Sequence, residues 1–219
     1  MTDHKILIAT GNPGKLREYQ AMLADLGVAC VSKGDAGLDG FDVPETGDTF
    51  EANARLKAAA YAQKSGLPTL ADDSGLVVDA LDGAPGVYSA RYAGPGATDA
   101  DRYQKLLAAL EDVPETARTA HFQCVIALAE PDGAIVTTAA GTCEGRIAFA
   151  PRGENGFGFD PVFVLAADSG HRGRTMAELP DADKNRISHR ARALQVLIPD
   201  FKGWLRDVGT GSDDLTSDQ

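Results

Sequence analysis

The chain has 219 residues, 43% hydrophobic and 24% charged, a globular composition that excludes a wholly disordered polymer. It carries 21 Lys and Arg against 32 Asp and Glu, a formal charge of −11; this counts against binding nucleic acid or an anionic membrane, which needs a basic face, but not against a small phosphorylated ligand in a local basic pocket. Cys30, Cys124 and Cys143 are odd in number and widely spaced, so neither a disulfide framework nor a Cys-x-x-Cys metal site is read from them.

Ile6 to Ala9 reads as a short buried strand. It is far too short for a signal segment or a membrane span, and no other apolar run approaches about 18 residues, so a soluble, cytoplasmic protein is expected. The turn Gly11-Asn12-Pro13-Gly14 leads into a helix from about Lys15 to Leu26, with Leu16, Tyr19, Leu23 and Leu26 at helical spacing and Gly27 as the stop. A second strand is expected over 28–32 and a Gly- and Asp-rich loop over 33–46. Asp48 and Glu51 resemble a capping box, opening an Ala-rich helix to about Ser65 with Phe50, Ala54, Ala58 and Tyr61 on one face.

Pro68 to Asp72 reads as a strand ending in the turn-like run Asp72-Asp73-Ser74-Gly75, with a separate apolar segment over 76–81. The Gly- and Pro-rich stretch 83–96 is loop. Thr98 can cap a helix carrying Tyr103, Leu106, Leu107 and Leu110. Ala120, Phe122, Cys124, Ile126 and Leu128 alternate along a strand, and Pro131-Asp132-Gly133 turns it into a hairpin with 134–143. A late strand over 161–166 and a late helix over 188–197, with Leu194, Leu197 and Ile198 inward, complete the pattern. From about Asp207 the chain is polar, acidic and aperiodic, so a single domain over 1–206 and a disordered tail over 207–219 are expected. Helices and strands intermix with one antiparallel hairpin, which points to an α/β protein with a mixed sheet.

Four stretches could carry chemistry. Thr10-Gly11-Asn12-Pro13-Gly14-Lys15 lies between a strand and a helix, where glycines admit a ligand to the backbone and helix N–H groups favour anions. Walker A spacing is absent, so the stretch reads equally as a phosphate cradle or a plain turn. Asp72 and Asp73 repel each other unless solvated or neutralised by a cation. Their hard oxygens suit Mg²⁺, with Glu45 as a further carboxylate, and one of them could take a proton from an attacking water; a polar turn is the plainer reading. Gly153 to Pro161 surrounds Phe157 and Phe159 with glycines and adds Asp160, which suits base stacking or a core plug. Lys184 to Arg192 holds four basic residues and no acid. With Ser188 as a cap, His189 and Arg190 fall in a helix's first turn, where cations oppose the dipole unless something anionic lies nearby. Together the four offer the environments that a nucleoside triphosphate requires.

These residues also carry a resemblance. The run Thr10 to Lys15, Glu45-Thr46-Gly47-Asp48-Thr49-Phe50, Ala71 to Gly75, Gly83-Ala84-Pro85-Gly86-Val87-Tyr88-Ser89-Ala90-Arg91-Tyr92, Phe157-Gly158-Phe159-Asp160-Pro161 and Ser188-His189-Arg190 stand in one order. The chain resembles, from Lys5 to about Trp204, the non-canonical purine NTP pyrophosphatases, also called inosine triphosphate pyrophosphatases. The resemblance implies an elongated mixed β-sheet flanked by helices, with two lobes and a central cleft. It implies a homodimeric hydrolase that uses Mg²⁺ to convert ITP, dITP and XTP to the monophosphate and pyrophosphate, cleaning the nucleotide pool. By motif, Asp73 would be the proton acceptor and a metal-site acid, completed by Asp72 and Glu45. Thr10, Gly11, Asn12, Pro13, Gly14 and Lys15 would hold the triphosphate, helped by Ser74, Lys57 and Lys184. Phe157, Gly158, Phe159 and Asp160, with His189 and Arg190, would bind the purine. Two departures stand out: Phe159 occupies a position where the family often carries Tyr, and the segment 168–174 looks longer than usual.

The expected reaction is attack of water on the α-phosphorus, with Arg190 and backbone N–H groups selecting a 6-keto purine. Two other readings share part of this pattern. One is a pyrophosphatase for modified pyrimidine or other nucleotides. The other is a non-catalytic nucleotide-binding module, against which the acidic pair argues, since carboxylates beside phosphate bring a plain anion binder nothing.

Overall fold

The computed structural model describes residues 4–210. Its backbone is a six-stranded mixed sheet. Strand β1 (His4–Ile8) lies parallel to β2 (Val28–Val31) and to β3 (Thr69–Val78). Beyond β3, the strands β4 (Thr119–Ala129), β5 (Ile135–Ile147) and β6 (Phe163–Leu165) run antiparallel, giving the order β2-β1-β3-β4-β5-β6. The parallel crossovers are helices, as parallel pairing requires: α1 (Pro13–Leu23) joins β1 to β2, and α2 (Phe50–Ser65) precedes β3. Helix α3 (Asp99–Ala109) lies between β3 and β4, and α4 (Asp181–Ile187) and α5 (His189–Thr210) close the chain.

Strands β3, β4 and β5 have 10, 11 and 13 residues. At about 3.3 Å per residue they are long enough to serve two cores placed end to end. At one end the sheet is covered on both faces. Ile6, Ile8, Leu70, Ile126 and Leu128 pack against Tyr19 and Leu23 of α1 and Leu194, Leu197 and Phe201 of α5. Their alternate neighbours Leu7, Ala71, Val125, Ala127 and Ala129 pack against Phe50, Ala54, Ala58 and Tyr61 of α2. At the other end Leu76, Val78, Ala120 and Phe122 join Leu106 and Leu110 of α3 and Phe159, Phe163 and Met176. The result is the α/β architecture expected, with two lobes strung on shared strands. The segment 72–75 lies where one core gives way to the next.

The hydrophobic spacing located most elements, and three details differ. The run Asp72 to Gly75 is not a turn ending a strand. It is the middle of β3, paired with β4 from Thr69↔Ala129 to Val78↔Ala120. Gly75 is needed there because a side chain at that position would meet the Gly86 carbonyl at 2.4 Å and Ser89 Oγ at 2.5 Å; the loop after β3 folds back onto the strand. The cap of α2 is Thr49, whose hydroxyl accepts from Ala52 N–H at 3.1 Å, not Asp48. Helix α5 continues through Pro199 to Thr210, past the expected end of the domain at residue 206. The rest of the expected tail, 211–219, lies outside the described residues. The Thr98 cap of α3 is a full capping box with Asp101. Ser188 caps α5 as expected, its hydroxyl accepting from Ala191 N–H at 3.2 Å.

Candidate active site

Strand alternation sends Asp72 and Asp73 to opposite faces of the sheet. Both are buried, 3% and 5% exposed, and a buried carboxylate needs charged or hydrogen-bonding partners. Each finds them on a different face of the sheet.

Asp72 faces α1 and α5. Its Oδ2 takes Lys15 Nζ at 2.9 Å and Arg190 Nη2 at 3.0 Å. Arg190 is fully buried. It also reaches Glu18 Oε2 at 2.5 Å and Ser74 Oγ at 3.1 Å. Glu18 in turn holds Lys184 Nζ at 2.9 Å, and Lys184 holds Asp160 Oδ2 at 2.6 Å. Lys15, Asp72, Arg190, Glu18, Lys184 and Asp160 therefore form one chain of alternating charge beneath the sheet's middle. Three cations balance three anions, which is what allows so many charges to leave water. This supplies the anions that cations at the start of α5 required. Burial alone would raise the Asp72 carboxyl, but Lys15 and Arg190 outweigh it and hold it well below the usual carboxylate range. Burial prevails at Asp160 and pushes it up despite Lys184. Burial would lower Lys184, yet Asp160 and Glu18 keep it above its ordinary value.

Asp73 faces α2. Its Oδ2 accepts from Asn53 Nδ2 at 3.1 Å and its Oδ1 from Lys57 Nζ at 3.3 Å. Asn53 and Lys57 stand one turn apart on α2 and so share a face. Lys57 also donates to Glu45 Oε1 at 2.6 Å, and Arg91 Nη1 donates to Glu45 Oε2 at 3.1 Å. Burial raises the Asp73 carboxyl and the nearby Glu45 charge adds to it, overcoming the pull of Lys57 and Asn53. At Glu45 burial would also raise the carboxyl, but Lys57 and Arg91 prevail and lower it.

A cavity of about 240 Å³ opens between the lobes. Asn12, Lys15, Glu45, Asp73 and Ser74 line one part of it, and Phe157, Gly158, Phe159, Asp160, Lys184 and His189 line another. The predicted phosphate, acid and aromatic stretches thus converge on one space. His189 is pushed well below its ordinary value by burial and by the Arg190 and Lys184 charges. Its ring stacks on Phe122 with centroids 4.8 Å apart. Lys184 Nζ lies 4.4 Å from the centre of the Phe157 ring.

Several expected contacts are not in the cavity wall. Thr10, Gly11, Pro13 and Gly14 shape the loop behind it; Thr10 Oγ1 accepts from Asn12 N–H at 3.1 Å. Asn12 Oδ1 caps α1, accepting from Gly14 N–H at 2.7 Å and Lys15 N–H at 3.3 Å. Lys57 lies behind Asp73 and Glu45. Arg190 is fully buried and bonded to Asp72, Glu18 and Ser74, and it does not line the cavity. The backbone N–H groups of Phe157 and Gly158 are likewise taken, by Asp160 at 3.0 Å and Asp99 at 2.7 Å. Phe159 is core, 4% exposed, with its ring at the cavity edge. The long segment 168–174 lies beside β6, tied by Arg152 to the Gly173 carbonyl at 2.8 Å, and does not line the cavity.

The three-acid metal set is corrected too. Among the described residues no three His, Cys, Asp or Glu side chains stand together as a metal site, and Asp72 is committed to Lys15 and Arg190 on the other face. What remains is the pair Glu45 and Asp73, converging on one ammonium group. Two carboxylates beside Lys15 on one cavity are a donor set that suits Mg²⁺, an ion that takes one or two carboxylates and completes its shell with other oxygens and water.

Glu18, Asn53, Arg91, Asp99 and Arg102 also belong to this site, and the sequence reading passed over them. The i, i+4 spacing of Asn53 and Lys57 could have revealed one. Glu18 and Asp99 sit on helices among ordinary surface-type acids, and no local signal marks them.

Known proteins resemble this chain over most of its length. The family model described as the Ham1 family matches residues 6–200. A dITP/XTP pyrophosphatase of Geobacillus kaustophilus is 53% identical over 88% of this chain and 92% of its own. One of Geobacter sulfurreducens is 51% identical over 91% and 97%. A solved HAM1 protein of Coxiella burnetii superimposes with TM-score 0.78 at 46% identity, covering 93% of this chain and 99% of that one. A nucleoside-triphosphatase described as a dITP/XTP pyrophosphatase of Mycobacterium abscessus gives TM-score 0.69 at 45% identity, over 89% and 99%. The chain belongs to the Ham1 family.

Proposed function

We propose that this chain hydrolyses non-canonical purine nucleoside triphosphates, dITP, XTP and ITP, to the monophosphate and pyrophosphate. The observation that carries it is that Lys15 and Asp73 line the same cavity as Phe157 and His189. The names of the relatives support the same substrates and chemistry. The part of the cavity lined by Asn12 and Lys15 takes the phosphates, and the aromatic part takes the base.

Asp73 accepts the proton of the water that attacks the α-phosphorus. Its raised carboxyl brings it nearer the operating pH, where a positioned base contributes about 10²–10⁴-fold. Lys57 and Asn53 hold both oxygens of that carboxylate, so its orientation is set before substrate arrives. Mg²⁺ held by Glu45 and Asp73 would neutralise phosphate charge and acidify a bound water. Lys15 meets the phosphate oxygens while staying paired with Asp72 behind the loop.

Lys184, which lines the cavity, takes part in selecting the base. That ammonium gives two hydrogens to Glu18 and Asp160 and keeps a third for an acceptor such as a 6-keto oxygen. A 6-amino group would set donor against donor, at about 1–3 kcal/mol for the unpaired group. The homodimer and the cytoplasmic location implied by the resemblance remain part of this proposal, as does the absence of a nucleic-acid or membrane partner. Among the described residues no helix is long and apolar enough to cross a membrane.

Pyrophosphate release from ITP, XTP and ATP, with Mg²⁺ and after EDTA, tests the reading. ITP and XTP should exceed ATP tenfold or more in kcat/KM, and EDTA should abolish turnover. Equal rates on ATP would contradict the base pocket, and full activity in EDTA would contradict the metal.

A further inference from the structure

Asn53 has no exposed surface, and its amide is engaged at both ends. Nδ2 donates to Asp73 Oδ2 at 3.1 Å and to the Gly47 carbonyl at 3.2 Å, while Oδ1 accepts from Gly47 N–H at 2.8 Å. One side chain thus joins strand β3, which carries Asp73, to the loop that carries Glu45 two residues before Gly47. The loop is fitted to this contact. A side chain at Gly47 would lie 2.8 Å from Asn53 Oδ1 and 2.7 Å from Ala52 Cβ, so any larger residue pushes the loop off the amide.

We propose that Asn53 is a positioning residue that fixes the spacing and orientation of Asp73 and Glu45 relative to each other. Lys57 cannot do this alone. It bridges the same two carboxylates through a point charge on a flexible stem, which tolerates many relative orientations. The planar amide, with two donors and one acceptor in use, tolerates few. A structural amide that merely ties a loop to a helix would have no reason to give its second hydrogen to the carboxylate proposed as the base. This inference rests on the proposed role of Asp73.

The test uses the full chain with Asn53→Ser and, from the opposite side, Gly47→Ala. Turnover of ITP and hydrogen exchange of segment 44–49 in the free protein are measured together. Both variants should lose kcat at least tenfold while KM for ITP stays within threefold, because the phosphate and base contacts are untouched. Exchange in segment 44–49 should speed up at least tenfold in both. A folded variant of either kind with kcat within twofold of the parent would overturn the proposal. If Asn53→Ser does not fold, Gly47→Ala decides alone, since it displaces the loop and leaves the Asn53 side chain itself in place. Asp73→Asn run alongside separates the two levels. Loss of activity in Asp73→Asn with none in the other two refutes the clamp alone, whereas an active Asp73→Asn refutes the role of Asp73 itself.

Discussion

Asp72 and Asp73 are neighbours on one strand, both buried, and the protein treats them in opposite ways. Asp72 faces α1 and α5, where Lys15 and Arg190 overcompensate its burial and hold it ionised. Asp73 faces α2, where one lysine shared with Glu45 undercompensates it and burial raises it. Strand alternation alone separates them. The first is part of the ion-pair chain that anchors the C-terminal helix to the sheet. The second is left short of positive charge next to an open cavity, a condition that favours picking up a proton. Burial therefore predicts neither role, whereas the balance of partners predicts both.

Substitutions that remove one carboxylate at a time would break this contrast if it is wrong. Asp73→Asn should lower kcat on ITP by about 10²–10⁴-fold, read as pyrophosphate released, with the fold retained. Asp72→Asn should act mainly on stability. It leaves Arg190 and Lys15 without their shared anion, and breaking a buried pair from one side costs about 3–5 kcal/mol. Urea unfolding should show that loss, and a loss below about 1 kcal/mol would remove Asp72 from its anchoring role. Phe157→Ala sharpens the picture at the aromatic side. Base stacking is worth about 1–3 kcal/mol, so KM for ITP should rise roughly fivefold to a hundredfold with kcat little changed.

The smallest effect is in acid. Asp72 is ionised in the folded protein far below the value near 3.9 of an unfolded Asp. As pH falls, the unfolded chain takes up this proton before the folded one does, so the stability Asp72 contributes is full above about pH 4 and is lost below it. Asp73 has the opposite sign. Its raised carboxyl binds a proton more readily when folded, so ionisation at neutral pH works against the fold and acidification relieves that burden. Unfolding free energies from pH 7 down to pH 3 should therefore fall less steeply in Asp72→Asn than in the parent. An unchanged slope would show that Asp72 is not the group being protonated.

Most of the scaffold could be read from the residues. Phe50, Ala54, Ala58 and Tyr61 announced the buried face of α2, and the alternation from Ala120 to Leu128 announced β4. These signals are local, because period follows from backbone geometry. The run from Asp72 to Gly75 misled for the same reason. Two acids, a serine and a glycine look like a solvated turn when only neighbours in sequence are considered. Their burial depends on partners 118 residues away at Arg190 and 57 away at Lys15. Arg190 shows the same limit: its motif marks it as functional, and only the fold shows that it is enclosed by Asp72 and Glu18. The convergence of Lys15, Asp73 and Phe157 on one cavity followed from combining motifs. Glu18 and Asn53, which join the motifs, are in none of the sequence signals used to find them.

The division of labour between the two aspartates is tested most directly by a paired measurement on Asp73→Asn, with rapid-quench product analysis on ITP and urea unfolding on the same protein. The predicted outcome is IMP and pyrophosphate formed at least a hundredfold more slowly than by the parent, at a stability no lower than the parent's. Turnover within threefold of the parent, or IDP and phosphate as the parent's products, would contradict the account.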